Sequence, residues 1–181
     1  MSIRGRTVAI GFLVLVCAQG SAAGQRSKVT PVPQRTQVIG NTIESTDKRL
    51  AAALLTLRLL PSAAQHRAAA DEYRRLGVLD VAYDHLTAAI RLDPHDASAY
   101  DARARIWREW GAPQLGMGDA VRAIYYAPRS AAAHNTFGTL LAANDQRDDA
   151  RREFLAALAL DASASYAREN LNRLDNDPRK P

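Results

Sequence analysis

Apolar residues recur at helical spacing in two successive stretches between residues 63 and 96. The first stretch is followed by Gly77, and the second, from about Asp80 to Leu92, is followed by Pro94, both of which end helices. The residues that share a face are Ala69, Tyr73 and Leu76 in the first stretch and Ala82, Leu86, Ala89 and Ile90 in the second. The pattern predicts two amphipathic helices joined by a short turn.

The same pattern returns twice at a spacing of 34 residues. The columns that coincide are Ala89, Ala123 and Ala157, then Ile90, Ile124 and Leu158, and then Ala99, Ala133 and Ala167. Because one helix pair of this size cannot bury its apolar face alone, the pairs must stack on one another. Small alanines at the crossing points let the helices approach closely. The sequence therefore predicts an all-α protein built as a solenoid.

Partial copies of the pattern precede and follow the three full ones. Residues 57–61 echo residues 90–94, which predicts a helix from about Glu44 to Leu60 as an N-terminal cap. Residues 165–174 repeat the start of a first helix with one polar side, as a C-terminal cap requires. The predicted organisation is a signal peptide (1–23), a disordered basic linker (24–43), an N-terminal capping helix (44–61), three repeats (63–96, 97–130 and 131–164), a C-terminal capping helix (165–175) and a tail (176–181).

These copies resemble the tetratricopeptide repeat family, whose pattern sets large, small, aromatic, alanine and proline residues at fixed places. The matching residues are His66, Ala69, Ala70, Tyr73, Ala82, Leu86 and Pro94, then Tyr100, Arg103, Ala104, Trp107, Gly116, Ala120 and Pro128, and then His134, Phe137, Gly138, Leu141, Ala150, Phe154 and Ala162. Arg103 at an apolar place, Gly116 for alanine and Ala162 for proline depart from that pattern. The resemblance implies a right-handed superhelical solenoid of antiparallel helix pairs.

The resemblance also implies a concave groove lined by the first helix of each repeat. Carried over by column, the groove residues are Arg67, Asp71, Arg74, Arg75, Asp101, Arg105, Arg108, Glu109, Asn135 and Thr139. Five arginines against three acids predict a mildly basic groove suited to carboxylates, peptide C-termini and aromatic faces. The alternative is a set of solvated helix faces with local ion pairs, such as Asp101 with Arg105.

One branch of the family binds chaperone tails through a clamp of Lys and Asn in the first repeat, Asn in the second, and Lys and Arg in the third. The matching places hold Arg67, Asp71, Ala102, Ala132 and Thr136. These residues exclude a chaperone-tail adaptor of that kind.

The N-terminus has the arrangement of a secretory signal peptide. Arg4 and Arg6 precede an apolar run of eleven residues, 8–18, and small residues follow up to Ala23. Since a membrane-spanning helix needs about 20 apolar residues, we expect cleavage after Ala23 and no stable membrane span. The protein is then a bacterial periplasmic or secreted protein. A lipoprotein anchored through Cys17 is a minor alternative, because Val16 stands where lipoprotein signals have Gly, Ala or Ser.

The charge balance changes meaning once it is located along the chain. The 181 residues carry a formal charge of +5 and a sequence pI near 9.7, which points toward a nucleic-acid partner. The excess, however, lies in the signal peptide and the linker, whereas residues 44–174 contain 17 bases and 17 acids. We therefore expect no nucleic-acid partner. The 35 alanines and 21 arginines agree with a helical scaffold.

Candidate chemistry is sparse. No two of the four histidines are three or four residues apart, and Asp145, Asp148 and Asp149 lack the glycine and final glutamate of a calcium loop, so they are read as the start of a helix. Gly116 and Gly118 predict a loosened second helix in the middle repeat. We expect no catalytic residues, no metal and no cofactor.

The leading hypothesis is a non-catalytic scaffold or adaptor that binds a partner protein or peptide outside the cytoplasm. The alternative is an accessory binding subunit of an envelope enzyme or secretion complex that holds an anionic peptide or glycan. A homo-oligomer is possible but not favoured, because both ends of the array carry caps.

Overall fold

A computed structural model describes residues 47–177, and within them it contains eight helices and no strand. The helices are α1 (Lys48–Leu59), α2 (Ala63–Arg75), α3 (Leu79–Leu92), α4 (Ala97–Glu109), α5 (Pro113–Tyr126), α6 (Ala131–Ala143), α7 (Arg147–Leu160) and α8 (Ser165–Asp175). The all-α prediction is confirmed. The predicted signal peptide, the linker and the expected helix start at Glu44 lie outside the described residues.

Helices α2 and α3, α4 and α5, and α6 and α7 form antiparallel pairs joined by three-residue turns. Helix α1 packs on α2, and α8 packs on α7. The first helices α2, α4, α6 and α8 also contact one another in succession, whereas within residues 47–177 the second helices of successive pairs do not. The first helices therefore line the inner side of the stack. We call this side, formed by α2, α4, α6 and α8, the first-helix face.

Local signals for helix ends recur with the same period of 34. Each first helix of the three pairs begins after a polar residue whose side chain accepts a hydrogen bond from a backbone N–H three residues later: Ser62, Asp96 and Ser130. Each first helix ends before a residue in the left-handed conformation: Gly77 (φ 76°), Gly111 (φ 74°) and Asp145 (φ 64°). Asp148 and Asp149 lie in the first turn of α7, as predicted. The prediction was wrong for Asp145, which precedes the N-cap Gln146 and takes the left-handed conformation that ends α6.

Alanines make up much of the buried core, as expected for helices that approach closely. Those with no exposed surface are Ala69, Ala82, Ala89, Ala99, Ala104, Ala120, Ala123, Ala150, Ala157 and Ala167. Larger side chains that are also buried fill the space beside them, namely Leu50, Leu86, Ile106, Leu140 and Phe154. Burial of these apolar surfaces is what holds successive pairs together.

Gly116 has a packing role in α5 that its low helix propensity does not predict. A Cβ atom there would lie 2.9 Å from the carbonyl oxygen of Ala104 and 3.0 Å from Cβ of Trp107. Helix α5 is continuous through this position. The missing side chain thus allows α4 and α5 to approach closely, which offsets the low helix propensity of glycine.

Arg103, which departs from the repeat pattern, forms a buried ion pair in the middle repeat. Its Nε and Nη2 atoms each donate to the Asp119 carboxylate at 2.8 Å, and Nη1 donates to the Thr87 hydroxyl at 3.2 Å. The side chains of Arg103 and Asp119 are 15% and 6% exposed. Burial lowers the pKa of Arg103, but the hydrogen bond and charge of Asp119 outweigh burial and raise it overall. The two departures at 103 and 116 therefore belong to one closely packed helix pair.

Candidate functional site

Four of the five arginines predicted to line the groove are paired with acids of the same chain. Two of these pairs join neighbouring repeats. Arg74 on α2 donates to Glu109 on α4 at 3.0 Å, and Arg67 lies 2.7 Å from Asp96, the N-cap of α4. These ion pairs neutralise the charges of Arg74 and Arg67 in the N-terminal half of the first-helix face.

The other two pairs lie within a helix or reach toward the N-terminal cap. Arg75 contacts Asp47, the N-cap of α1, at 2.6 Å and Glu72 at 2.7 Å. Arg75 therefore ties α2 to the capping helix. Arg105 lies 2.9 Å from Asp101, four residues earlier on α4. This is the local ion pair expected for solvated helix faces, the alternative to a ligand-binding role for these two residues.

Asp101 is a buried carboxyl on the first-helix face, with 8% of its surface exposed. Burial raises its pKa, while the charge of Arg105 and the hydroxyl of Thr136 act in the opposite direction. Exposed Asp71 lies close enough to add to the increase. Asp101 is thus less accessible to a ligand than its column predicts.

The remaining predicted residues lie toward the C-terminal half of the face. Asn135 accepts a hydrogen bond from Asn170 of α8 at 2.9 Å, and the Thr139 hydroxyl donates to the Thr136 carbonyl at 2.7 Å. Arg108 is exposed, and within residues 47–177 it has no acidic oxygen within 4.0 Å. Arg108 is therefore the predicted groove arginine whose charge stays available.

A cavity of about 270 Å³ lies at the C-terminal end of the first-helix face. We call it the C-terminal cavity. It is lined by Arg108, Thr139, Ala142, Ala143, Arg147, Phe154, Asn170, Arg173, Leu174 and Asp177. It brings together side chains of α4, α6, α7 and α8. Two of the ten predicted groove residues, Arg108 and Thr139, are among them.

Three arginines of the C-terminal cavity differ in how firmly they are held. Arg147 donates to Asp177 at 3.0 Å and to the carbonyl of Leu174, and its side chain is only 18% exposed. Arg173 donates to Glu169 at 2.9 Å, with both side chains 71% exposed. Arg108 has no such partner in the described part of the chain. Arg147 is thus held by two contacts in a largely buried position, whereas Arg173 is held by one exposed ion pair.

Residue columns could have found part of this cavity. The column that holds Asp71, Arg105 and Thr139 continues at the same period to Arg173, but the groove prediction stopped at the third repeat. Arg147 carries no such signal, because its column holds Leu79 and Pro113 in the other repeats. Its position follows from the way α8 closes the end of the stack.

His66, His85 and His134 lie between the helices of a pair, whereas His95 lies in the loop between α3 and α4 and packs its ring against Tyr126. Nδ1 of His66 on α2 is 3.0 Å from Nδ1 of His85 on α3, and Nδ1 of His134 on α6 is 2.8 Å from Glu153 on α7. Burial, aided by the charge of Arg91, lowers the pKa of His66. These contacts give His66, His85 and His134 a structural role in joining the helices of a pair.

Several solved structures share the fold of this chain. The first TPR of Spaghetti (RPAP3) bound to the HSP90 peptide SRMEEVD is similar at a TM-score of 0.60 and 18% identity, covering 63% of this chain and 90% of that one. The Arabidopsis OM64 TPR domain is similar at a TM-score of 0.60 and 21% identity, and the match covers 63% of this chain and 94% of that one. The second TPR domain of human RPAP3, in complex with the HSP70 peptide SGPTIEEVD, is similar at a TM-score of 0.59 and 18% identity. That match covers 62% of this chain and 94% of the RPAP3 domain.

These similarities establish a tetratricopeptide-like fold, as the sequence predicts. No family model and no curated protein matches the sequence. Between residues 47 and 177, no helix has the length and apolar character needed to cross a membrane.

Proposed function

We propose that this protein is a non-catalytic scaffold that binds an extended segment of a partner protein on its first-helix face. The observation that carries the proposal is the C-terminal cavity on that face, which is lined by three arginines and four apolar residues. One of these arginines, Arg108, has no acidic oxygen within 4.0 Å in the described part of the chain. Two structures with the same fold are described as complexes with short peptides, which supports the choice of a peptide as ligand.

The partner is expected to differ from those chaperone peptides. At the places where the chaperone clamp needs charged or amide side chains, this chain has Ala102 and Thr136, which are 6% and 4% exposed. A buried alanine or threonine offers no group to a peptide carboxylate at these places. Because these residues differ from those of the clamp, we expect this protein to recognise a different partner segment through other residues.

The proposal also places the protein outside the cytoplasm. It rests on the two arginines, the apolar run and the small residues that precede Gly24 in the sequence. Mass spectrometry of the N-terminus of the protein from its native cells tests it. We expect a mature chain that begins at Gly24. A lipid-modified Cys17 would instead establish the lipoprotein alternative, and an unprocessed Met1 would contradict export.

Site-specific crosslinking in cells tests the binding face. A benzophenone amino acid replaces Ala143, which lines the C-terminal cavity, and in a matched variant it replaces Leu155, which is 50% exposed on α7. We expect one protein partner to be crosslinked from position 143 and not from 155. Crosslinking from 155 alone would move the interface to the second helices and overturn the proposal.

The identity of the captured protein separates the two functional hypotheses. An envelope enzyme or a component of a secretion complex would favour the accessory-subunit alternative, and its glycan or peptide ligand could then be assayed directly. The observation that favours this alternative is the clustering of Arg108, Arg147 and Arg173, since guanidinium groups suit anionic ligands.

A further inference from the structure

We propose that the C-terminal cavity binds a carboxylate that lies next to an apolar side chain in the partner's peptide. This inference rests on the proposed function, because it names the chemistry that the first-helix face recognises.

The charge of the lining favours an anion. Three cations, contributed by α4, α7 and α8, converge on a cavity whose lining contains one acid, Asp177. Asp177 is already paired with Arg147. With three arginines and one aspartate, the lining itself carries a net charge of +2. Arg173 also pairs with Glu169, which lies outside the lining, and Arg108 has no acidic oxygen within 4.0 Å among residues 47–177. A planar carboxylate matches the paired N–H groups of a guanidinium.

Arg173 can exchange its present partner, Glu169, for a ligand carboxylate. The exposed pair between Arg173 and Glu169 contributes little free energy, as is usual for solvated ion pairs. A ligand carboxylate can thus replace Glu169 at small cost. Arg147, held by Asp177 and by the carbonyl of Leu174, forms a fixed wall beside it.

The apolar part of the lining consists of Phe154, Leu174, Ala142 and Ala143. Phe154 and Leu174 are only 1% and 7% exposed, so the apolar surface open to a ligand is mainly that of the half-buried Ala142 and the exposed Ala143. A small apolar side chain beside the carboxylate would cover these methyl groups and gain a small amount of free energy, whereas an inorganic anion would leave them uncovered.

The size of the cavity limits the ligand to one or two residues. About 270 Å³ lies just below the range of pockets that enclose drug-sized molecules. One apolar side chain and one carboxylate fit this space, whereas a folded domain does not. The carboxylate can come from the C-terminus of the partner or from an Asp or Glu beside the apolar residue.

A nuclear magnetic resonance titration with three short peptides tests the proposal on protein expressed from the full sequence. The probes are Ac-Ala-Ala-Leu with a free C-terminus, Ac-Ala-Glu-Leu-amide and Ac-Ala-Ala-Leu-amide, each up to about 10 mM, a range suited to weak fragments. We expect one or both charged peptides to shift the backbone amides of Thr139, Ala142, Ala143, Asn170 and Leu174, and the neutral peptide to leave them in place. The peptide that acts identifies the source of the carboxylate.

Paired variants test the arginines. The double variant Arg108→Gln with Arg173→Gln replaces the two exposed arginines. It should bind the peptide that shifts the amide signals about tenfold more weakly, or weaker still, because charge-assisted hydrogen bonds are lost. Arg152→Gln is the matched control, since Arg152 is 71% exposed on α7 and pairs with Asp149 away from the cavity. The affinity of the Arg152→Gln variant for that peptide should stay within about twofold of the affinity of the parent protein.

The proposal is overturned if neither charged peptide shifts these amides, if the neutral peptide shifts them equally, or if the double variant binds as well as the control. Equal shifts with inorganic phosphate would remove the apolar part of the inference. Failure here with partner crosslinking at position 143 intact would reject only the carboxylate site. Loss of that crosslinking with peptide binding intact would reject the proposed function.

Discussion

Arginine serves two different purposes in the interior of the middle repeat and on the first-helix face. Inside, Arg103 and Asp119 form two hydrogen bonds of 2.8 Å with little access to water. On the face, Arg74 and Glu109 approach to 3.0 Å, but their side chains are 34% and 26% exposed. Both are ion pairs of ordinary length, and burial is what separates them.

The difference teaches that exposure, more than the count of charges, decides what an arginine contributes. A buried pair is costly to break, since the remaining charge has lost both water and its partner. A solvated pair is nearly neutral in free energy and mainly removes charge from the surface. On the first-helix face this leaves Arg108 as the groove arginine that a partner can use.

Asp119→Ala should produce the largest loss of stability. The variant leaves the Arg103 guanidinium without its carboxylate in a buried site, and we expect the free energy of unfolding to fall by about 3–5 kcal/mol. Urea denaturation followed by circular dichroism measures it. A loss below about 1 kcal/mol would mean that water reaches Arg103 and that the two regions do not differ.

A double replacement is the control for this experiment. Arg103→Leu with Asp119→Leu removes both charges and restores an apolar residue at position 103, as the family pattern has it. We expect it to be much closer in stability to the parent protein than Asp119→Ala, because apolar pairs can replace buried ion pairs at little cost. If the double replacement is as damaging as Asp119→Ala, the loss comes from repacking and not from the orphaned charge.

Gly116→Ala should have the next largest effect, because it pushes apart the two helices that carry Arg103 and Asp119. The added Cβ meets the backbone of α4 at 2.9 Å, which costs about 1–3 kcal/mol, against about 1 kcal/mol gained in helix propensity. We expect a net loss in urea denaturation. Gly118→Ala, which meets only a distant atom of Arg122 at 3.9 Å, is the matched control and should stabilise the protein. A gain at both positions would favour the prediction that Gly116 loosens the second helix of the middle repeat.

The helices were predictable from the sequence because their signals are local and repeated. Gly77 and Pro94 mark helix ends by backbone chemistry, and alanine columns mark much of the buried core. The ion-pair partners of the groove arginines were harder to predict from the sequence. The partner of Arg75 is Asp47, 28 residues away on the capping helix, and that of Arg74 is Glu109, 35 residues away. Pairing across repeats depends on how the pairs stack, which no single repeat specifies.

The C-terminal cavity was the least predictable feature, since it exists only where the array ends. Arg147 belongs to a column that is otherwise Leu79 and Pro113, and it contributes to the cavity through contacts with residues of the end of the chain. Arg173 was predictable by extending a groove column into α8. A period identifies equivalent positions, but a cap makes its last repeat unlike the others.

A smaller effect, dependent on pH, is expected at Asp101. Because burial raises its pKa in the folded protein, the folded state holds this proton at pH values where the unfolded state, with a pKa near 3.8, has lost it. The free energy of unfolding therefore falls as pH rises from about 3.8 through the folded pKa. In Asp101→Asn this contribution is absent, so its stability relative to the parent should increase over that range. Asp145→Asn is the matched control, because it removes an exposed carboxylate that does not act on Asp101, at a left-handed backbone position that asparagine also adopts. A relative decrease for Asp101→Asn would show that Arg105 stabilises the carboxylate more than burial disfavours it.

The smallest effect is expected for Arg74 and Glu109, and it completes the contrast with Arg103 and Asp119. A double-mutant cycle with Arg74→Ala, Glu109→Ala and both together should give a coupling free energy of at most about 1 kcal/mol, because both side chains are partly solvated. The coupling should decrease further when salt is added, since exposed charges are screened. Urea denaturation at low and high salt measures both quantities. A coupling of several kcal/mol that persists in salt would place this pair with the buried one, and the first-helix face would then be a rigid ionic surface with little charge to offer a partner. A weak, salt-sensitive coupling would leave Glu109 and Arg74 free to separate when a ligand approaches, so that the N-terminal half of the face could adapt to a peptide whose carboxylate is anchored at the other end.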